Sequence, residues 1–340
     1  MKVSRALLAA TLLAGFSAAA HAQQITGAGS TFAAPIYGKW AEASQAKTGV
    51  TLNYQAIGSG AGQNQVFNRT VDFGATDAPL KGADLAAHKL LQFPTVMGAV
   101  DIIVNVPGIK ADQLKLTGPV LAQIYLGNIT SWSDAAIAKL NPGVKLPNLP
   151  IAPVYRADAS GTTFVFTSYL SKISSDWKDK VGAAKSVRWL NGAGARGSDG
   201  VSGTVRNVRG GVGYVESSYA TQNHLITVEM QNHDGKFVRP TLANFGAAAA
   251  NADWSKADNF AIDLNDQPGA NSWPIVTATF VLLPTDPTDA ARSAAVVKYF
   301  GWAFDEGDDV ARKLEYVPLP KAVKDSVHAA WKATFKTAGQ

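Results

Sequence analysis

The chain has 340 residues, of which 46% are hydrophobic and 17% are charged, and it contains no cysteine. Its formal net charge of +5 is small for this length and its charged residues form no long runs, so the composition gives no support for nucleic-acid binding. The lack of cysteine excludes disulfide bonds and a lipid anchor on an N-terminal cysteine.

The first 22 residues have the pattern of a secretory signal peptide. A short basic start with Lys2 and Arg5 precedes an apolar run that ends near Ala20, and Ala20-His21-Ala22 matches the small-x-small cleavage pattern. The run is too short for an ordinary transmembrane helix. Cleavage after Ala22 is expected to leave an exported chain of 318 residues with 29 basic and 26 acidic side chains. That length exceeds one typical core, so two lobes are expected.

Apolar periodicity predicts alternating helices and strands. Up to residue 106 the predicted elements are a helix over Pro35–Lys47, a strand over Val50–Gln55, a helix ending near Asn68, a short strand over Val71–Ala75 and a strand over Met97–Val106. They continue with a helix over Pro119–Leu126, an apolar stretch over Ile151–Val154, a helix from Ser160, and strands over Gly211–Val215 and Ile275–Leu283. The glycine-rich residues Asn191–Gly203 are predicted to form a long loop. The alternation predicts α/β layers with a mostly parallel sheet.

The run from Arg156 to Thr162 joins a predicted strand to a predicted helix and suggests an anion site. The first turn of a helix has free N–H groups and a partial positive charge, which attract an oxyanion. Ser160 can cap that turn or donate its hydroxyl, Gly161 allows close approach of the backbone, and Arg156 adds a fork of donors. An ordinary capped helix beside a surface ion pair remains the alternative at this point.

Three further polar clusters occupy comparable positions. Gly27–Phe32 and Gly58–Gly62 each precede a predicted helix, and Asp77 follows a predicted strand. In open α/β sheets, ligands bind where the carboxyl ends of strands meet helix N-termini. The four clusters together therefore predict one anion site made largely of neutral donors.

The chain closely resembles the periplasmic phosphate-binding proteins that serve bacterial ABC phosphate importers. The resemblance extends from about Ile25 to near the C terminus, and its motifs keep the family's order and spacing. The motifs are Thr26-Gly27-Ala28-Gly29-Ser30-Thr31-Phe32-Ala33-Ala34-Pro35, Val71-Asp72-Phe73-Gly74-Ala75-Thr76-Asp77-Ala78-Pro79, Ile124-Tyr125-Leu126-Gly127, Arg156-Ala157-Asp158-Ala159-Ser160-Gly161-Thr162 and Gly213-Tyr214-Val215-Glu216.

The resemblance implies the α/β, two-lobed type II periplasmic-binding-protein fold, with hinge crossovers near Val96–Asn105 and Ser272–Phe280. Residues 23–96 plus 275–340 are expected to form lobe one, and residues 97–274 lobe two. The implied partners are inorganic phosphate and the importer's membrane permease subunits with their cytoplasmic ATPase. A periplasmic monomer with no cofactor and no metal is expected.

The family's phosphate contacts correspond to eight positions of this sequence. They are Thr31, Phe32, Ser59, Asp77, Arg156, Ser160, Gly161 and Thr162. Asp158 matches the acid that pairs with the arginine. Ser30 and Ala159 depart from residues common in the family, and neither is expected to supply an indispensable side chain.

Asp77 makes the expected ligand more specific. A buried carboxylate repels an anion unless the anion carries a proton to donate, and phosphate near pH 7 has a P–O–H group whereas sulfate has none. Two unprotonated acceptors facing each other would cost several kcal/mol. Asp77 is therefore expected to favour phosphate, although a helix or turn cap is the alternative for an aspartate before Ala78-Pro79.

Two other kinds of function remain open on the sequence. One is a receptor for sulfate, molybdate or an organic phosphate. The other is a secreted phosphatase or serine hydrolase with Ser59 or Ser160 as nucleophile, which is disfavoured because the chain has neither a Gly-x-Ser-x-Gly elbow nor a Walker-type loop. The four histidines after residue 22, at positions 88, 224, 233 and 328, are isolated and offer no zinc spacing.

Overall fold

The computed structural model describes residues 23–335. The expected signal peptide, with its cleavage point after Ala22, lies outside the described residues, as do residues 336–340. Among residues 23–335, no helix combines the length and apolar character needed to cross a membrane.

The described chain alternates strands with helices. The strands are β1 (Gln23–Gly29), β2 (Val50–Gln55), β3 (Phe73–Thr76), β4 (Leu90–Asn105), β5 (Lys115–Leu116), β6 (Ala152–Arg156), β7 (Ala193–Ala195), β8 (Gly211–Glu216), β9 (Ile226–Thr227), β10 (Glu229–Gln231), β11 (Phe237–Val238) and β12 (Val276–Pro284). The helices are α1 (Ala34–Thr48), α2 (Ser59–Phe67), α3 (Gly82–Ala87), α4 (Gly118–Leu126), α5 (Ala135–Leu140), α6 (Gly161–Ile173), α7 (Ser175–Lys180), α8 (Gly197–Asn207), α9 (Ser217–Gln222), α10 (Leu242–Ala250), α11 (Ala290–Glu306), α12 (Asp308–Lys313) and α13 (Lys321–Thr334).

One long strand, β4, joins the two parts of the main sheet. The strand order is β2-β1-β3-β12-β4-β8-β6-β7, with β9 also paired to β4. β4 pairs with β12 up to Ala99 and with β8 from Val100 onward. We call β2, β1, β3, β12 and residues 90–99 the first sheet half, and residues 100–105 with β8, β6, β7 and β9 the second sheet half. The strands β11, β10 and β5 form a small separate sheet.

The prediction of a mostly parallel sheet is wrong at the centre. Parallel pairing occurs at β1–β2, β1–β3, β6–β8 and β6–β7. β12 runs antiparallel to both of its neighbours, and β4 runs antiparallel to β8. Alternation of strands and helices predicts parallel neighbours only where consecutive strands lie in one sheet half, and β12 returns to the first half after a long excursion through the second.

An aromatic core holds the helices of the first sheet half against its strands. The Tyr37 ring packs edge-on against Phe73 and Phe300 at centroid distances of 6.3 and 5.4 Å, and Phe93 packs against Phe300 at 5.7 Å. All four side chains are fully buried. Aromatic pairs of this geometry stabilise the core beyond the effect of apolar burial. Because this core fixes α1, it also fixes the loop that precedes α1.

The predicted loop over Asn191–Gly203 is wrong, because this stretch contains β7 and most of α8. Val201 and Val205 are fully buried and lie four residues apart, which is the spacing of one helix face. Gly200 and Gly203 lower the helix propensity and obscure the pattern in the sequence. Packing of the valine face against β8 and β6 outweighs that cost.

Candidate anion site

The eight residues expected at the site lie together between the two sheet halves. Thr31 and Phe32 follow β1, Ser59 begins α2, and Asp77 follows β3. Arg156 ends β6, and residues 160–162 form the start of α6. The positions match the rule that ligands of α/β proteins bind at the carboxyl ends of strands. The seven side chains are at most 6% exposed, so this region is enclosed.

Direct hydrogen bonds connect the halves across this region. The Gly161 N–H donates to Ser59 Oγ over 3.1 Å, and Arg156 Nη1 donates to Thr31 Oγ1 over 3.0 Å. Backbone atoms also meet, since the Gly60 N–H donates to the Ala159 carbonyl over 2.9 Å. The structure is therefore in a closed arrangement.

Arg156 is oriented by the acid two residues later. Its Nε donates to Asp158 Oδ1 over 2.7 Å, and its Nη2 also pairs with that carboxylate. Partial burial raises the pKa of Asp158, but the Arg156 guanidinium outweighs burial and holds it below the usual value. Two nitrogens of the guanidinium are thus occupied, and Nη1 faces Thr31 and the Thr162 hydroxyl, 3.4 Å away. The Nη1 group of this buried, paired arginine is therefore directed at the site.

Asp77 is a buried acid surrounded by hydroxyl donors. Thr279 donates to Oδ1 over 2.6 Å, and the Ser30 hydroxyl lies 2.7 and 2.9 Å from Oδ1 and Oδ2. Ser59 Oγ lies farther away, 3.5 Å from Oδ2. Burial raises the pKa of Asp77 to about 6, although these donors and Arg156 lower it. Near neutral pH the side chain is therefore mainly a carboxylate.

Ser160 caps α6, as the sequence suggested. Its Oγ accepts from the Thr163 N–H over 3.1 Å. This bond leaves the other N–H groups of the first turn directed outward from the helix end, where the helix dipole favours negative charge. A Cβ placed on Gly161 would lie 2.4 Å from both Asp77 Oδ2 and Ser59 Oγ. Glycine is required here because the backbone of α6 touches the opposite sheet half.

Two tyrosines fix the loop that carries Thr31 and Phe32. Tyr219 of α9 donates its hydroxyl to the Thr31 carbonyl over 2.7 Å, and Tyr316 donates to the Phe32 carbonyl over 2.6 Å. In a trans peptide the carbonyl and the following N–H point in opposite directions. Tyr219 therefore directs the Phe32 N–H away from itself.

Several of these contacts were not predicted from the sequence. Ser198 Oγ lies 2.9 Å from Thr31 Oγ1 and 3.5 Å from Arg156 Nη1. A serine directly after Gly197 at the start of a helix was a signal for it, but the helix itself was not predicted. Thr279 lies inside an apolar strand and gave no signal. Ser30 was expected to be dispensable, yet its hydroxyl contacts both oxygens of Asp77.

A cavity of about 260 Å³ adjoins Asp77 on one side. Its other walls are mainly apolar and include Phe164, Val165, Ile262 and Val276. Of the eight residues expected at the site, only Asp77 lies on the wall of this cavity. Within residues 23–335 there is also no group of three or more His, Cys, Asp or Glu side chains suited to hold a metal ion. The polar cluster, and not the cavity, therefore has the chemistry of an anion site.

Relatives of the chain are phosphate-binding proteins by name. A model described as the PBP superfamily domain matches residues 15–306. The chain is 47% identical to the phosphate-binding protein PstS of Pasteurella multocida over 98% of this chain and 97% of that protein. It is 46% identical to PstS of Haemophilus influenzae, covering 93% of this chain and 95% of that protein.

Solved structures share the fold at low sequence identity. A high-affinity periplasmic phosphate-binding protein bound with phosphate is 21% identical, with a TM-score of 0.71 and coverage of 90% of this chain and 93% of that chain. A putative phosphate ABC transporter substrate-binding protein from Clostridium perfringens is 18% identical, with a TM-score of 0.64 over 88% of this chain and all of that chain. The architecture is thus the two-lobed type II periplasmic-binding-protein fold, as expected. Together with the relatives, this fold shows that the chain belongs to the PBP superfamily and, within it, to the PstS family of phosphate-binding proteins.

Proposed function

We propose that this protein binds inorganic phosphate and delivers it to an ABC importer. The observation that carries the proposal is the meeting of a buried arginine, a helix N-terminus and a buried carboxylate within one enclosed cluster. Arginine and the helix start attract an oxyanion, and the carboxylate selects one that brings a proton. The relatives are named as phosphate-binding proteins, which agrees with this chemistry and with binding without catalysis.

The ligand contacts in this proposal come from both sheet halves. Thr31, Phe32, Ser59 and Asp77 lie on the first, and Arg156, Ser160, Gly161 and Thr162 lie on the second or its helices. Lobe one would comprise residues 23–96 and 275–340, and lobe two residues 97–274. The change of partner along β4 at Ala99 and Val100 supports a hinge between them. A ligand held from both sides favours the closed state.

Export and transfer complete the proposal. Cleavage after Ala22 would release a monomer into the periplasm. The closed lobes would then dock on the importer's membrane permease subunits, which work with a cytoplasmic ATPase. The N-terminal pattern of residues 1–22 supports export, and the C. perfringens structure is described as an ABC transporter substrate-binding protein.

Titration calorimetry tests the ligand directly. Protein stripped of bound anion by partial unfolding and refolding should be titrated with phosphate, arsenate, sulfate and molybdate at pH 7. Phosphate should bind with a Kd of roughly 1 μM or tighter. Arsenate, which also carries a proton at this pH, should compete with phosphate, and sulfate and molybdate should bind far more weakly. Tighter binding of sulfate or molybdate than of phosphate would contradict the proposal.

A further inference from the structure

The oxygens of Asp77 have different surroundings. Oδ1 faces Thr279 of β12, which lies 2.6 Å away. Oδ2 faces the start of α6, because a Cβ on Gly161 would come within 2.4 Å of it. Ser30 lies between the two oxygens, within 2.9 Å of each. Oδ2 is therefore on the side of the α6 start, where the proposed anion would bind, and Oδ1 is on the side of β12.

The hydroxyl groups around Asp77 are arranged to donate. The Ser30 oxygen already accepts from the Ala33 N–H over 3.2 Å, so its hydrogen is available for the carboxylate. Ser59 Oγ accepts from the N–H groups of Gly161 and Asp77, which likewise leaves its hydrogen free to donate. Donors to the charged form of an acid favour that form. They oppose the burial that would otherwise protonate Asp77.

We propose that Ser30 and Thr279 are positioning residues that keep Asp77 an unprotonated acceptor, and that they thereby set the pH range over which the site excludes sulfate. The inference rests on the proposed phosphate function. A protonated Asp77 could donate to sulfate, and the site would then lose its requirement for a ligand proton. An ionised Asp77 can only accept, so the ligand must supply the proton.

Some of the other groups around Asp77 raise its pKa and others lower it, but these groups are the same in all the variants compared below. Arg156 of β6 favours the charged form. The phenols of Tyr37, Tyr54 and Tyr219 face it from α1, β2 and α9, and burial raises the pKa of each, so they stay neutral. Asp263, on the wall of the adjoining cavity, is a largely exposed carboxylate. The two hydroxyl groups are thus the short-range contacts that mutation can remove without a change of charge.

The test compares sulfate and phosphate affinities from pH 5 to pH 8.5 in Ser30→Ala and Thr279→Val. Loss of one donor should raise the pKa of Asp77 by about one unit, because one unit corresponds to roughly one hydrogen bond to a charged group. At pH 8, each variant should bind sulfate about tenfold more tightly than the wild type does. The affinity for sulfate falls as pH rises, and the midpoint of that fall should lie about one pH unit higher in the variants. Phosphate affinity at pH 8 should change by less than about threefold, because phosphate can supply the proton.

Two matched variants separate this role from a structural one. Thr279→Ser keeps the hydroxyl and should restore the wild-type sulfate profile. Thr277→Val removes a buried hydroxyl from the same strand, one that bonds to the Ala278 carbonyl and not to Asp77, and should leave the profile unchanged.

An unchanged sulfate profile in both Ser30→Ala and Thr279→Val would overturn the inference. Loss of phosphate binding in both variants would also overturn it, because the hydroxyls would then support folding or affinity and not selectivity. Failure of the wild type to bind phosphate is a separate outcome, and it would overturn the proposed function itself.

Discussion

The Gly161 N–H and the Ser59 hydroxyl oxygen lie 3.1 Å apart, although Gly161 begins α6 and Ser59 begins α2. Two helix starts from opposite sheet halves therefore face each other, and Asp77 lies beside both of them. This relationship places two positive helix ends on one small region. It also makes the region sensitive to any added volume.

Gly161→Ala should strongly weaken phosphate binding. The new methyl group would lie 2.4 Å from Asp77 Oδ2 and Ser59 Oγ, so the lobes could not close without displacing the carboxylate. We expect a loss of about 100-fold or more, or about 2.7 kcal/mol, by calorimetry. Gly38→Ala is the matched control, since its Cβ meets nothing within 4 Å in α1, and it should keep full affinity. Equal affinities of both variants would refute the predicted steric conflict.

Arg156→Lys should lower phosphate affinity by roughly 10- to 100-fold without abolishing binding. Lysine keeps the charge but cannot bond to Asp158 through two nitrogens while a third faces Thr31. The helix N-terminus and the backbone donors remain, so residual binding is expected. Arg239→Ala, which removes an exposed arginine paired with Glu229, serves as the control in the same titration. If Arg156→Lys and Arg156→Ala both bind like the wild type, the arginine is not a ligand contact.

Asp77→Asn should change selectivity more than affinity. The amide keeps the size of the side chain and can donate a hydrogen bond, so the ligand no longer has to carry a proton. Phosphate should still bind, because relief of charge repulsion offsets the lost charge-assisted bond. Sulfate binding should rise from negligible to measurable in competition calorimetry at pH 7. A variant that loses phosphate and still rejects sulfate would assign Asp77 a structural role.

Glu216 provides a test of stability against pH. It is fully buried at the end of β8, and its Oε2 lies 2.9 Å from the Tyr316 hydroxyl. Tyr316 has one hydroxyl hydrogen, which the Phe32 carbonyl 2.6 Å away requires, so a proton on Glu216 satisfies the second contact. Burial raises the pKa of Glu216 well above its usual value, the hydrogen bonds from Ser218 lower it by less, and nearby Asp101 raises it further.

The folded state thus binds a proton that the unfolded state releases above a pKa of about 4.3. Stability should therefore fall as pH rises from that value toward the raised pKa of Glu216. Glu216→Gln mimics the protonated form, so it should melt at the same or a higher temperature than the wild type at pH 8 and show a weaker decline with pH. The exposed Glu42→Gln is the control. If Glu216→Gln destabilised the protein, relative to the wild type, more at pH 8 than at pH 5, this account would be contradicted.

Phosphate should also change the shape of the protein in solution. Tyr219 and Arg156 bond to the Thr31 loop from the other sheet half, so these contacts belong to the closed state. Small-angle scattering of anion-free protein should give a larger radius of gyration than the phosphate-saturated form. Sulfate at the same ionic strength is the control and should leave the anion-free value unchanged. Equal radii with and without phosphate would argue against hinge closure.

The sequence by itself determined the features that depend on local patterns. Apolar periodicity predicted α1 and the apolar part of β12, and a capping serine predicted the start of α6. The sequence singled out Asp77 and Arg156 because each lies at the carboxyl end of a predicted strand, where the ligands of α/β proteins commonly bind. Resemblance to a family then grouped these positions into one expected site.

Tertiary structure decided what depends on distant partners. The antiparallel direction of β12, the helix hidden among the glycines near Val201, and the closed contact between α2 and α6 all arise from packing between segments far apart in the chain. Thr279 lies 202 residues from Asp77, inside an apolar strand, and nothing in its local sequence marks it as a polar contact. The free energy of a buried hydrogen bond depends on where its partner lies in space, and local sequence patterns do not contain that distance.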